Sequence, residues 1–147
     1  MGADSPDAPG TPRATDGGMF SFPIFLEVRN RVVFVAGGGR HAAVKARSLG
    51  ELGAVVRIWA PEDVGTAALA EFTSVEVVGG PYSPALLADA LLAIVVTGDE
   101  ALDQQIATDA RASRVLVNVV DGVPSCDWSA PAILRRGGLT VAIGTGG

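Results

Sequence analysis

Residues 31–46, RVVFVAGGGRHAAVKA, constrain the fold more than any other stretch. The stretch opens with Val32, Val33, Phe34 and Val35, a run apolar on both faces, as in a strand buried inside a parallel sheet. Gly37, Gly38 and Gly39 follow at once, and a helix-forming segment begins near His41 with Ala42, Ala43, Val44, Lys45 and Ala46. A strand, a glycine turn and a helix in succession present free backbone N–H groups and the positive end of a helix dipole to an anion. Gly37-x-Gly39-x-x-Ala42 fits the dinucleotide fingerprint, whose third position is Gly or Ala. The first glycine makes the turn, the second lets a pyrophosphate approach the backbone, and Ala42 lets helix and strand pack closely. A tight βα turn without a ligand is the alternative. The strand before and the helix after are the context that favours phosphate binding.

With 147 residues the chain is about one domain long. Hydrophobic residues make up 48% and charged residues 18%, enough for a sizeable apolar core. The formal net charge of −5 argues against a general binder of nucleic acid or anionic membranes. Cys126 is the single cysteine and His41 the single histidine, so neither an internal disulfide nor a zinc cluster is expected. The longest apolar stretch, residues 85–96, is interrupted by Asp89 and too short to cross a bilayer. With no signal peptide recognised, the expectation is a cytoplasmic protein.

Residues 1–18 are rich in Pro and Gly and nearly devoid of large apolar side chains, and are expected to be a disordered tail. Residues 19–26, MFSFPIFL, suit an edge segment packing on the sheet, with Pro23 limiting its pairing. After the first helix, stopped by Gly53, strands are expected at 54–60, 74–78, 91–96, 115–120 and 139–143. Helices are expected at 62–72, from Ser83-Pro84, at 100–112 and at 130–136, the last closed by Gly137-Gly138. This alternation implies right-handed βαβ units and a doubly wound, mostly parallel sheet. Ligands then lie at the carboxyl ends of the strands, near the topological switch point. The loops 37–41, 60–62, 97–99 and 121–128 would gather there.

The acid that usually binds the ribose is missing from the end of the second strand, where Trp59, Ala60 and Pro61 stand with Glu62 nearest. NAD and NADP are therefore not distinguished by this position. Arg40 and His41 are either solvated residues at a helix start or ligand contacts, with their backbone N–H groups the stronger candidates. Thr97 is either a contact to the nicotinamide ribose or part of a helix cap shared with Asp99. Asp121 is either an ordinary Asp-Gly turn or a carboxylate placed to take a proton during hydride transfer. Arg135 and Arg136 suit a helix C-terminus or an acidic substrate. Cys126 has no base paired with it in sequence and reads as a half-buried turn residue.

From about residue 22 to 147 the sequence resembles precorrin-2 dehydrogenase, the N-terminal module of siroheme synthase. The matching segments are FPIFLEVRNRVVFVAGGG, VKARSLGELGAVVRIWAPE and NVVDGVPSCDWSAPAILRRGGLTVAIGTGG, the last being the most specific. The resemblance implies a Rossmann-type NAD-binding domain over residues 19–147 that oxidises precorrin-2 to sirohydrochlorin with NAD⁺. In many members Fe²⁺ is also inserted, as a second substrate, to give sirohaem. The family's key acid falls on Asp121, its cofactor loop on Gly37, Gly38, Gly39, Arg40 and His41, and its adenosine side near Pro61 and Glu62. The hydroxyl residue before the final Gly-Gly is Thr145, counted with Arg135 and Arg136 as a substrate contact. A polycarboxylate substrate on a net-acidic protein needs local cations, and Arg111 and Arg114 are further candidates. This sequence departs from the pattern at Gly98, which precedes Asp99, and at Val44, where a basic residue is common. The family continues past TGG into helices that help it dimerise and cover the site. That region is not in these residues, and a homodimer is the expectation from the family.

The rival reading is a nucleotide-sensing or regulatory Rossmann module without catalysis, since a fold does not specify a function. The two part at Asp121, whose loss abolishes oxidation in the first reading and changes nothing chemical in the second.

Overall fold

The computed structural model describes residues 22–61, 69, 72–122 and 126–144. Five strands form one wholly parallel sheet: β1 (Val32–Ala36), β2 (Val55–Trp59), β3 (Val75–Val78), β4 (Ala90–Val95) and β5 (Leu116–Val119). Their order is β3-β2-β1-β4-β5. The chain leaves β1 toward β2 and β3, then returns across β1 to add β4 and β5. The switch point thus falls between the carboxyl ends of β1 and β4, where a doubly wound sheet opens its ligand crevice.

Both faces of the sheet are apolar because both are covered. Phe34, Ala36, Ala93, Val95 and Val117 point to one side, where Ile106, Ala107 and Ala110 of α2 (Glu100–Ala112) seal them. Val33, Val35, Val56, Ile58 and Ile94 point to the other, packed on Ala42 and Ala46 of α1 (Gly39–Glu51) and on Leu69. The period of two along β1 assigns these faces. Each fully buried Val, Ile or Phe contributes roughly 1.5–3 kcal/mol over its exposed state.

Both helices end in a Schellman motif. In α1, Ala54 N–H donates to Leu49 O (3.1 Å) and Gly53 N–H to Gly50 O (2.9 Å), with Gly53 at φ +81°. In α2, Val115 N–H donates to Ala110 O (2.8 Å) and Arg114 N–H to Arg111 O (2.9 Å), and the left-handed position falls on Arg114, φ +59°.

Several expectations are corrected. Residues 130–136 are not a helix and 139–143 do not join the parallel sheet. They form an antiparallel hairpin, β6 (Ala132–Arg136) with β7 (Leu139–Ile143), which belongs to a second compact unit outside the sheet unit Phe25–Ser129. Two β-rich runs separated by Gly-Gly are a hairpin signal, and Gly137 takes φ +57° at the first loop position. Residues 22–26 pair with no strand, and Phe22, Ile24 and Phe25 are exposed. The helix expected from Ser83-Pro84 is one 3₁₀ turn, Pro84–Leu87, with Ser83 accepting from Ala85 N–H (3.3 Å). The tail expected at 1–18 and most of the helix expected at 62–72 lie outside the described residues.

Tyr82 closes the α2 face. Its hydroxyl donates to Asp109 Oδ2 (3.1 Å), and its ring meets Trp59 edge-on at 5.5 Å between centroids. Burial, followed by the Asp109 hydrogen bond and charge, raises its pKa well above the ordinary tyrosine value. The folded value exceeds the unfolded one, so this stabilisation is complete below about pH 10 and is lost as pH climbs through the folded pKa. Tyr82→Phe is expected to lower stability at neutral pH by about 1 kcal/mol and to flatten the alkaline loss, measured by urea unfolding across pH.

Candidate functional site

The glycine turn is built as a cradle. Gly37 is buried at φ +130°, and a Cβ there would stand 2.2 Å from Val96 O, the carbonyl just beyond β4. Its N–H donates to Trp59 O (2.8 Å), tying the turn to β2 as well. Gly38 is the N-cap of α1, extended and without a side chain to cap the helix, and the first turn of α1 carries no acid. The first N–H groups, those of Gly39, Arg40 and His41 among them, are thus left for a ligand at the positive end of the dipole. Gly39 has φ +79°, and a Cβ there would meet nothing within 4 Å, so the space before it is open. Ala42, fully buried, completes the fingerprint by its close packing.

Across the crevice, β5 leads into a turn whose Gly122 N–H donates to Val119 O (3.1 Å). Asp121 occupies its third position at φ +62°, where Gly or Asn is usual. Gly122 is required, because a Cβ there would lie 2.8 Å from Val119 Cγ1. The exposed Asp121 lines two clefts. One, about 580 Å³, is shared with Gly98, Asp103, Gln104 and Val120. The other, about 280 Å³, lies against Arg40, His41, Val44 and Lys45 of α1. Asp121 and the first turns of the cradle helix therefore border one cleft.

Thr97 takes the capping alternative. Its hydroxyl donates to Asp103 Oδ1 and accepts from Asp99 N–H (3.1 Å), and its own N–H donates to Asp103 Oδ1 (3.2 Å). Asp99 in turn accepts from the N–H groups of Ala101 (3.0 Å) and Leu102 (3.1 Å). Pro61 is exposed just past β2, whereas Glu62 and Thr145 lie outside the described residues.

The cation candidates are redistributed. Arg111 pairs with Asp127 (2.9 Å), and Arg114 caps α2. Both stand at the far end of a 13-residue helix, about 18 Å along its axis from the crevice end. Arg135 and Arg136 lie exposed on β6 of the hairpin, where adjacent side chains point to opposite faces. Lys45 was missed. Its spacing of four from His41 was the available signal.

Cys126 has the structural role expected of it. Its sulfur accepts from Val119 N–H (3.3 Å), while Asp127 Oδ2 accepts from Val117 N–H (3.0 Å). Asn118, the polar residue within β5, donates to Trp128 O (2.8 Å). Together these contacts satisfy the outer edge of β5 and brace the turn that carries Asp121.

A parallel sheet in this order, with a glycine cradle at its switch point, defines a Rossmann-type dinucleotide-binding domain. The family described as "Putative NAD(P)-binding" matches residues 24–132, and the chain belongs to it. It is 42% identical over 127 residues to "Siroheme synthase" of Chromobacterium violaceum, covering 86% of this chain and 27% of that protein. It is 37% identical over 133 residues to "Siroheme synthase" of Escherichia coli, covering 88% of this chain and 28% of that protein. The chain thus spans little more than a quarter of the length of these relatives. Among solved structures, "SirC, precorrin-2 dehydrogenase" has the same fold, with a TM-score of 0.69 and 24% identity over 85% of this chain and 62% of that one. No helix among the described residues is long and apolar enough to cross a membrane.

Proposed function

We propose that this chain binds NAD⁺ and oxidises precorrin-2 to sirohydrochlorin, with Asp121 as the general base. The observation that carries the reading is the position of Asp121, on the crevice rim against the helix whose N-terminus forms the cradle. Its similarity to two siroheme synthases supports the choice of substrate.

The cradle fits a dinucleotide: Gly37 admits no side chain, Gly39 faces open space and α1 is uncapped. Gly37, Gly38 and Gly39 with the N–H groups of Arg40 and His41 would hold the pyrophosphate, and Pro61 and Glu62 would border the adenosine. Thr97 would border the nicotinamide ribose through its backbone, its hydroxyl being engaged in the cap. NAD⁺ supplies the two-electron acceptor when bound. Oxidation of precorrin-2 gives up one hydride and one proton. Asp121 would take the proton, which as general-base help is worth roughly 10²–10⁴-fold.

Its left-handed backbone costs on the order of 1 kcal/mol, a strain of the kind that persists at functional positions. Arg135, Arg136 and Thr145 remain the proposed substrate contacts of residues 130–147. Exposed Ile133, Leu134, Leu139 and Ile143 on the hairpin support a homodimer, checked by sedimentation equilibrium. We place the activity in the cytoplasm. Fe²⁺ belongs to the same reading as the next substrate.

The test is an anaerobic assay of the chain with precorrin-2 and NAD⁺, followed by Fe²⁺, watched by absorbance. NADH and sirohydrochlorin in equal amounts are expected. Protein that binds NAD⁺ but forms neither product is the non-catalytic nucleotide module instead.

A further inference from the structure

We infer that the smaller cleft, between α1 and the Asp121 turn, is a carboxylate subsite that seats one acidic arm of the substrate through Lys45. The inference rests on the proposed tetrapyrrole oxidation. The cleft is lined by Arg40, His41, Val44 and Lys45 of α1 and by Val120 and Asp121 of the turn after β5. None of the three basic side chains makes an ion pair or side-chain hydrogen bond among the described residues, whereas Arg47, Arg57 and Arg111 all do. In a chain of net charge −5, unpaired basic groups converging on one cleft form a local anion site.

Lys45 is six residues past Gly39, about 9 Å along the helix axis, so it lies beyond the backbone N–H groups of the cradle. It is half-buried, and lysine lays an apolar stem along a cleft wall while its ammonium reaches polar ground. At about 280 Å³ the cleft falls below the roughly 300–1,000 Å³ typical of pockets for whole drug-sized ligands. A cleft of this size suits an acetate or propionate arm of a larger ligand. Val120 and Asp121 also border the larger cleft, so an arm held by Lys45 sets the ring edge against the Asp121 carboxylate. Lys45 is in this way a substrate-positioning residue that selects which ring carbon meets the base.

The test compares wild type, Lys45→Met and Lys45→Arg in the full chain. Sirohydrochlorin binding is followed by quenching of tryptophan fluorescence without NAD⁺, and KM for precorrin-2 is measured alongside. Lys45→Met is expected to weaken sirohydrochlorin binding and raise KM about tenfold, with Lys45→Arg recovering most of the loss. NAD⁺ affinity and the urea midpoint are expected to stay as in wild type. Added NaCl should weaken wild-type binding more steeply than that of Lys45→Met. Unchanged tetrapyrrole binding and KM in Lys45→Met, beside an active wild type, overturn the subsite alone. An equal loss of NAD⁺ affinity overturns it too, by assigning Lys45 to the cofactor. A wild type that neither binds sirohydrochlorin nor oxidises precorrin-2 overturns the functional reading and the subsite with it.

Discussion

Asp121→Asn is expected to slow precorrin-2 oxidation by about 10²–10⁴-fold while NAD⁺ binds as in wild type. Asparagine is the informative replacement. The residue sits at φ +62°, and Asn, like Asp, tolerates that region, whereas alanine adds about 1 kcal/mol of backbone strain. Asp121→Ala would therefore mix a displaced turn with a lost base. Asn keeps the turn and the hydrogen-bonding shape and removes only the group that accepts the proton. Stopped-flow absorbance with saturating NAD⁺, together with a fluorescence titration of NAD⁺, separates the two effects. Turnover within a few-fold of wild type would remove Asp121 from the chemistry and leave the regulatory nucleotide module as the better account.

Gly37→Ala is expected to destabilise the chain by roughly 2–4 kcal/mol and to abolish NAD⁺ binding. The new methyl would stand 2.2 Å from Val96 O, and that atom belongs to backbone leaving the central strand β4. The turn and β4 would have to move apart at the switch point itself. Gly39→Ala is the paired control. A methyl there meets nothing within 4 Å, so the loss of stability is expected to be only about 1–2 kcal/mol, from the φ of +79°. Its methyl nevertheless enters the open mouth of the cradle, so NAD⁺ affinity is expected to fall without unfolding. Urea midpoints and NAD⁺ titrations of the two variants distinguish a glycine needed for the fold from one needed for the ligand. Equal stability of Gly37→Ala and wild type would contradict the packing described at β4.

Much of the domain was legible because the local signals agree with the long-range pairing. The sequence places helix α2 at 100–112, after the Thr97-Gly98-Asp99 turn, and it is found at Glu100–Ala112. The strands were read from apolar runs that are continuous because each strand is buried on both faces. The hairpin is ambiguous in sequence because a two-residue Gly-Gly loop also suits a helix stop, although the β-rich runs on either side satisfy the hairpin pattern. Arg111 and Arg114 were proposed from charge alone. Which end of a helix meets the crevice follows from the direction of the strands, and a residue list does not contain it. Likewise the side-chain partner of Asn118 in β5, Trp128 O, is ten residues away and is not read from the local pattern.

The primary sequence alone determined the βαβ alternation and the glycine cradle, because each is a local pattern of side-chain volume, polarity and backbone freedom, while the choice of Asp121 as the candidate acid came from the family resemblance. Only the tertiary structure decided that Asp121 lines a cleft with the helix that follows the cradle, that Thr97 spends its hydroxyl on Asp103, and that Lys45 borders the same cleft. Those relations join elements up to about eighty residues apart, and they are set by strand order and by which helix covers which face of the sheet.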